Sequence, residues 1–194
     1  MSTNGIDLSN FQAGTSLHGM TGLDFVIAKA TEGTTFKDKS YPIFASEAEA
    51  AGAQFGAYHF FHAENMNARA QADTFCAYAR PRSELSLWVD YETYGKDGQT
   101  DAEELALFIS EIKLNVGQQQ KVGIYCNGTG LARIFPYRAE IPFNGLWYAT
   151  LDGHVDAQTA KMPWQINQYE VFQGIDRNTS IWTPAQWKSF WAWS

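Results

Sequence analysis

QFGAYHFF at residues 54–61, NMNARAQADTFCAYA at 65–79 and LSLWVDY at 85–91 decide the fold class. The outer two runs are short, apolar and rich in aromatic residues, as buried strands are. The middle run carries Ala68, Ala72, Phe75, Cys76 and Ala79 near helical spacing. Strand, helix and strand in this order mean two parallel strands joined by a crossover helix.

The alternation extends in both directions. Gly5 to Leu8 and Asp24 to Ala30 (DFVIAKA) read as strands, followed by a helix from Tyr41 to Ala51 closed by Gly52. Downstream, Asp101 to Val116 reads as a helix whose acidic first turn (Asp101, Glu103, Glu104) suits the helix dipole. Strands follow at Lys121–Cys126 (KVGIYC), Leu146–Thr150 and Trp164–Tyr169, and Ile175 starts a short eighth. Pro184 opens a last helix with Trp187, Phe190 and Trp191 on one side. Eight strands with fewer helices predict an α/β barrel that is regular early and helix-poor late; a doubly wound open sheet is the alternative. No linker-like stretch divides the chain and no repeat is visible, so residues 1–194 read as a single domain.

Composition excludes several function classes. Fourteen basic against twenty-one acidic residues give a net charge of −7. A nucleic-acid partner would need a basic face, and so would an anionic membrane. No apolar run is long enough to span a bilayer. The four histidines (His18, His59, His62, His154) lack zinc-ligand spacing, and neither a G-x-S-x-G nor a glycine-rich phosphate loop is present, so neither metal nor cofactor is expected. Cys76 and Cys126 make no disulfide framework and read as two reduced, mostly buried thiols. The opening Met1-Ser2-Thr3-Asn4-Gly5 has no basic segment before an apolar run, so no secretory signal is expected. Action outside the cell would then follow host lysis or removal of a leader. Seven Trp, nine Tyr and thirteen Phe can fill a core, and some can stack on flat ligands such as sugars at a cleft mouth.

The chemistry centres on Asp90 and Glu92, which lie two apart near the C-terminal end of the strand LWVDYE and so face the same way. Their backbones are roughly 6–7 Å apart. Two poorly solvated carboxylates this close cannot both ionise at their ordinary pKa values, which supplies a proton donor beside a fixed negative charge. Glycosidic cleavage needs that pairing. A hydrophilic turn or a metal site would use the same spacing. Other strand ends add Asp7, Lys29, Glu32, Tyr58, His59, Tyr125, Asn127 and Asp176, with Trp147 and Gln165 within strands. Read singly, His59 is a satisfied core histidine and Lys29 with Glu32 a structural ion pair. Together these residues suit an active site at one mouth of a barrel.

These segments resemble glycoside hydrolase family 25, the Chalaropsis-type lysozymes of bacteria, fungi and phages. GIDLSNFQ resembles the family's D-x-S-x-x-Q opening, DFVIAKATEGTTFKD its second strand and following loop, AGAQFGAYHFF its A-G-x-x-x-G-A-Y-H-F segment, and LWVDYE its D-x-E strand. VGIYCN, LWYA, PWQ and GIDRN follow in the family's order. The resemblance implies a modified TIM-like (β/α) barrel of eight strands with fewer than eight helices. It implies hydrolysis of the β-1,4 bond between N-acetylmuramic acid and N-acetylglucosamine in bacterial peptidoglycan. By position, Glu92 would be the general acid and Asp90 its partner, stabilising an oxocarbenium-like state or an oxazolinium formed by the substrate's N-acetyl group. Asp7 and Asp176 would be further catalytic carboxylates. Tyr58, Tyr125, Trp147, Gln165, Lys29 and Glu32 would bind substrate.

Two departures stand out: Leu151 replaces the tyrosine that often ends the family's W-x-A-x-Y, and Ile175-Asp176 replaces its V-D. The expected enzyme is a monomer at the cell wall, phage endolysins being one source class, with no separate wall-binding module. A lectin-like protein on the same scaffold and a hydrolase of another N-acetylated glycan such as chitin are the alternatives.

Overall fold

The computed structural model describes residues 3–150 and 164–192. The chain runs β1 (Thr3–Leu8), β2 (Phe25–Glu32), β3 (Phe36–Lys37), α1 (Tyr41–Ala50), β4 (Gln54–His62), α2 (Ala68–Ala79), β5 (Ser86–Thr93), α3 (Gly98–Val116), β6 (Val122–Cys126), α4 (Gly128–Ile134), β7 (Gly145–Ala149), β8 (Ile166–Phe172), β9 (Ile175–Ser180) and α5 (Pro184–Trp191). Pairing of β1 with both β2 and β9 closes eight strands into a barrel, and β3 is a spur on β2. The open-sheet alternative is thereby excluded. Among the described residues five α-helices accompany these strands, the helix-poor TIM-like arrangement.

The strands alternate between two cores. One set of residues, including Val26, Ala28, Phe61, Val89 and Ile124, packs outward against the helices. The other set fills the barrel with Phe25, Ile27, Tyr58, Trp88, Tyr125, Trp147 and Ile166. Helix α5 stops the N-terminal end, where Trp187 stacks on Phe25 at 4.6 Å and Trp191 meets Trp88 at 5.1 Å. Rings of this size fit because their neighbours have no side chain. A Cβ on Gly5 would lie 2.3 Å from the Phe25 ring, and one on Gly123 would lie 2.2 Å from Trp88.

The all-parallel reading fails at the end of the chain. β8 and β9 are antiparallel, and β9 is antiparallel to β1. Only Gln173 and Gly174 join β8 to β9, both at positive φ (53° and 77°). Two such residues form a hairpin turn, whereas a parallel crossover needs a dozen or more. Helix α4 is a further difference. Its glycines, Gly128 and Gly130, hide it from a propensity reading, and the Asn127 side chain caps it by accepting from Gly130 N at 3.0 Å. Helix α3 starts earlier than Asp101, capped by Asp97, and Asp101 is instead a buried anchor. Its carboxylate accepts from Gly95 N at 2.7 Å, Arg133 Nε at 2.9 Å and the Tyr91 hydroxyl.

His59 faces the helices, buried between Thr31 Oγ1 (2.7 Å) and Gln71 Oε1 (3.1 Å). Burial pushes its pKa down to about 3, as befits a core histidine. Cys76 is half-buried and Cys126 buried, and neither is in a disulfide. No described helix is long and apolar enough to cross a membrane. His154 and Leu151 lie outside the described residues.

The glycine spacing generates a test. Gly123→Ala should lower stability by about 1–3 kcal/mol through overpacking against Trp88, read as a lower denaturant midpoint at an unchanged slope.

Candidate active site

At the C-terminal end of the barrel, inward-facing side chains surround a cavity of about 230 Å³. Asp7, Tyr58, Phe60, Asp90, Glu92, Tyr125, Trp147, Gln168 and Asp176 line it. Each comes from the rule of alternation. On β5, Trp88 fills the barrel, Asp90 and Glu92 follow it on the inner face, and Tyr91 between them points out to the Asp101 anchor. That outward tether fixes the strand between the two carboxylates.

Asp7 is the most elaborately held group. Its Oδ2 accepts from Asn178 Nδ2 at 2.7 Å and Gln168 Nε2 at 2.9 Å. Each amide is oriented in turn: Tyr125 donates to Gln168 Oε1 at 2.8 Å, and Trp147 Nε1 donates to Asn178 Oδ1 at 2.8 Å. A continuous hydrogen-bonded chain therefore runs from β6 through β8, β1 and β9 to β7. Burial and the nearby Asp176 charge still push the Asp7 pKa up to about 7, outweighing the two amides.

Asp90 is buried, and its Oδ1 has no hydrogen-bond partner among the described residues. Burial, then Glu92 and Asp7, drive its pKa well above the ordinary carboxylate value, while the Lys29 charge opposes them. Glu92 is exposed to solvent at the mouth, and burial of part of its surface together with Asp176 raises its pKa as well. Asp176 is raised by burial. Because Asp90 and Glu92 interact, they titrate as a pair and not as two independent acids. Burial, with nearby carboxylates adding, also holds the phenols of Tyr58 and Tyr125 high, so both remain hydrogen-bond donors.

Lys29 and Glu32 stand behind this wall. Lys29 Nζ meets Glu32 Oε2 at 2.5 Å and sits 4.8 Å from the centre of the Phe60 ring. Glu32 also meets His62 at 3.2 Å. The pair is thus an ion pair next to the cavity, and its reach into the site is the Lys29 field at Asp90.

Gln165 is placed elsewhere. It precedes β8, and its Oε1 accepts from Leu146 N at 2.6 Å, near the opposite end of the strand. Gln168, three residues on, occupies the cavity position. Sequence reasoning also missed Phe60 and Asn178. Asn178 follows Asp176 by two residues, so period-two spacing was the available signal.

A family model described as glycosyl hydrolases family 25 matches residues 6–175. Lysozyme M1 of Streptomyces globisporus is 37% identical over 75 residues, covering 38% of this chain and 26% of that protein. N,O-diacetylmuramidase of Chalaropsis sp is 37% identical over 79 residues, covering 38% of this chain and 37% of that protein. The matched stretches thus span about a quarter to just over a third of these relatives. A family GH25 lysozyme from Aspergillus fumigatus shares the fold, with a TM-score of 0.85 at 21% identity over 100% of both chains.

The Asp7 setting makes a signed prediction. Its native pKa of about 7 lies above the ordinary 3.8, so the native state keeps a proton that the unfolded state has released between these values. Stability contributed by this group therefore falls as pH rises through that window. Asp7→Asn should unfold at a higher denaturant midpoint than the parent at pH 8, with the gain shrinking as pH falls from about 7 towards 4 and absent below that. In carboxyl-detected NMR titrations, Asn178→Ala should move the Asp7 midpoint upward, because a donor to the ionised form is lost.

Proposed function

The chain belongs to glycosyl hydrolases family 25, and from that premise we propose that it is an N-acetylmuramidase, a lysozyme cleaving the β-1,4 bond between N-acetylmuramic acid and N-acetylglucosamine in peptidoglycan. The observation that carries the proposal is the convergence of Asp7, Asp90, Glu92 and Asp176 on one cavity with Tyr58, Tyr125 and Trp147 in its walls. A sugar-binding protein has no use for four carboxylates forced up in pKa together, whereas an acid-catalysed glycosidase does.

Glu92 is the general acid in this reading. It reaches the cavity mouth, where a bound glycan would displace water and strengthen its hold on a proton. It then donates that proton to the leaving oxygen as the glycosidic bond breaks. Asp90 supplies negative charge to the oxocarbenium-like carbon, or to an oxazolinium formed by the substrate's own acetamido group. Asp90 lines the cavity, and the Lys29 field favours its ionised form. Asp7, fixed by two oriented amides, and Asp176 set the proton balance of the pair. The aromatic walls hold the sugar rings.

The same reading takes the chain as one catalytic domain acting as a monomer on the cell wall, without nucleic acid, membrane, metal or cofactor. The net charge of −7 supports the exclusion of polyanionic partners.

Peptidoglycan digested by the parent should yield new reducing ends on N-acetylmuramic acid. Glu92→Gln should lose about 10²–10⁴-fold in rate, the usual share of a general acid. Activity should fall as pH rises through the upper titration of the Asp90–Glu92 pair, and that limb should lie above the ordinary carboxylate range because both groups are raised. Equal rates in parent and variant would remove Glu92 from the acid role. Cleavage of chitin in place of peptidoglycan would reassign the substrate.

A further inference from the structure

A groove of about 510 Å³ lies on the outer barrel wall, between the β8–β9 strands and the segment at residues 20–23. We propose that it is a second glycan-binding site, taking an N-acetylated sugar that bears a carboxylate. The substrate class rests on the muramidase reading; the site itself rests on the following geometry.

The groove exists because of the hairpin. A two-residue turn joins β8 to β9, and among the described residues no helix connects these strands across their outer faces. Tyr169 and Phe172 consequently stay 40% and 45% exposed there. Two half-exposed rings in one concavity give the apolar faces on which pyranose C–H surfaces stack. The size lies within the range of small-ligand pockets. Amides of Asn4 and Gln173 at its edge supply polar partners of the kind an acetamido group requires.

Charge selects the ligand further. Among the described residues that line the groove none is acidic, and Arg177 is the one cation. The guanidinium sits 4.1 Å from the centre of the Phe172 ring, so the cation and one platform form a single unit. Its acidic partner is Glu170 at 3.4 Å, with both side chains over 40% exposed. Such a surface pair is weak, and a ligand carboxylate can replace it through a bidentate contact. The catalytic cavity, with four carboxylates, has the opposite character. In peptidoglycan a muramic lactyl group free of a stem peptide carries a carboxylate, and where a stem peptide is amide-linked to it the carboxylates are those of the peptide, so a neighbouring strand of the wall suits the groove while another strand is cut.

The test uses full-length protein carrying Glu92→Gln, which leaves the polymer intact, and measures retention on insoluble peptidoglycan. Phe172→Ala and Arg177→Gln, each added separately, should weaken retention roughly fivefold to tenfold. Chitotetraose, which is neutral, should bind the groove more weakly than a soluble muramic-acid oligosaccharide, with no response to Arg177→Gln. In the active chain, Phe172→Ala should hydrolyse soluble fragments at the parent's rate. Unchanged retention in Phe172→Ala, with an unchanged melting temperature, overturns the proposal. So does equal, Arg177-independent binding of chitotetraose. If the active parent fails to cut peptidoglycan, the muramidase reading falls, while the retention measurements still decide the groove.

Discussion

Antiparallel pairing of β9 with β1 is the contact on which the rest of the molecule depends. It places Asp176 opposite Asp7 and Asn178 opposite Gly5. Without it the barrel would be an open sheet with two bare edges, and the site would lose one carboxylate and one amide of the Asp7 cradle. Closure and chemistry are therefore one structural event. The bottom of the barrel obeys the same economy of space: glycines on β1 and β6 admit the rings of Phe25 and Trp88, and α5 seals them with two further tryptophans.

The cavity concentrates acidity that the fold does not neutralise. Asp7, Asp90, Glu92 and Asp176 are all shifted toward the protonated form, with burial the first cause at each. Only Lys29 opposes this among the causes acting on Asp90, and it does so from beyond the cavity lining. Strain of this kind sits where function needs it, and the aromatic and helix-packed layers stabilise the frame that holds it.

Much of this was legible in the sequence. Apolar runs alternating with helical periodicity gave the barrel class, and the D-x-E spacing put Asp90 and Glu92 on one face. Asp7, Tyr58, Tyr125, Trp147 and Asp176 all reach the cavity as their strand-end positions required. What escaped depended on register and on turns. Gln165 and Gln168 are equally plausible glutamines until the pairing of Ala149 with Gln168 shows where β8 meets its neighbour's end. The reversal at Gln173–Gly174 rests on two positive-φ residues, which the reading of Ile175 as one more parallel strand ignored. Asp101 looked like a dipole-complementing first-turn acid, and its burial beneath Tyr91, Gly95 and Arg133 is a tertiary fact that helix rules do not contain.

The Asn178–Asp7 bond joins residues 171 positions apart. On the ribosome, β1 through β7 can be exposed and paired while Asp7 still lacks both of its amide donors. The tryptophans that stop the barrel floor follow later still, on α5. Contacts of such long sequence separation form late and slowly. A nascent chain of this protein therefore carries Asp90 and Glu92 on β5 well before the amide cradle of Asp7 on β8 and β9 can form.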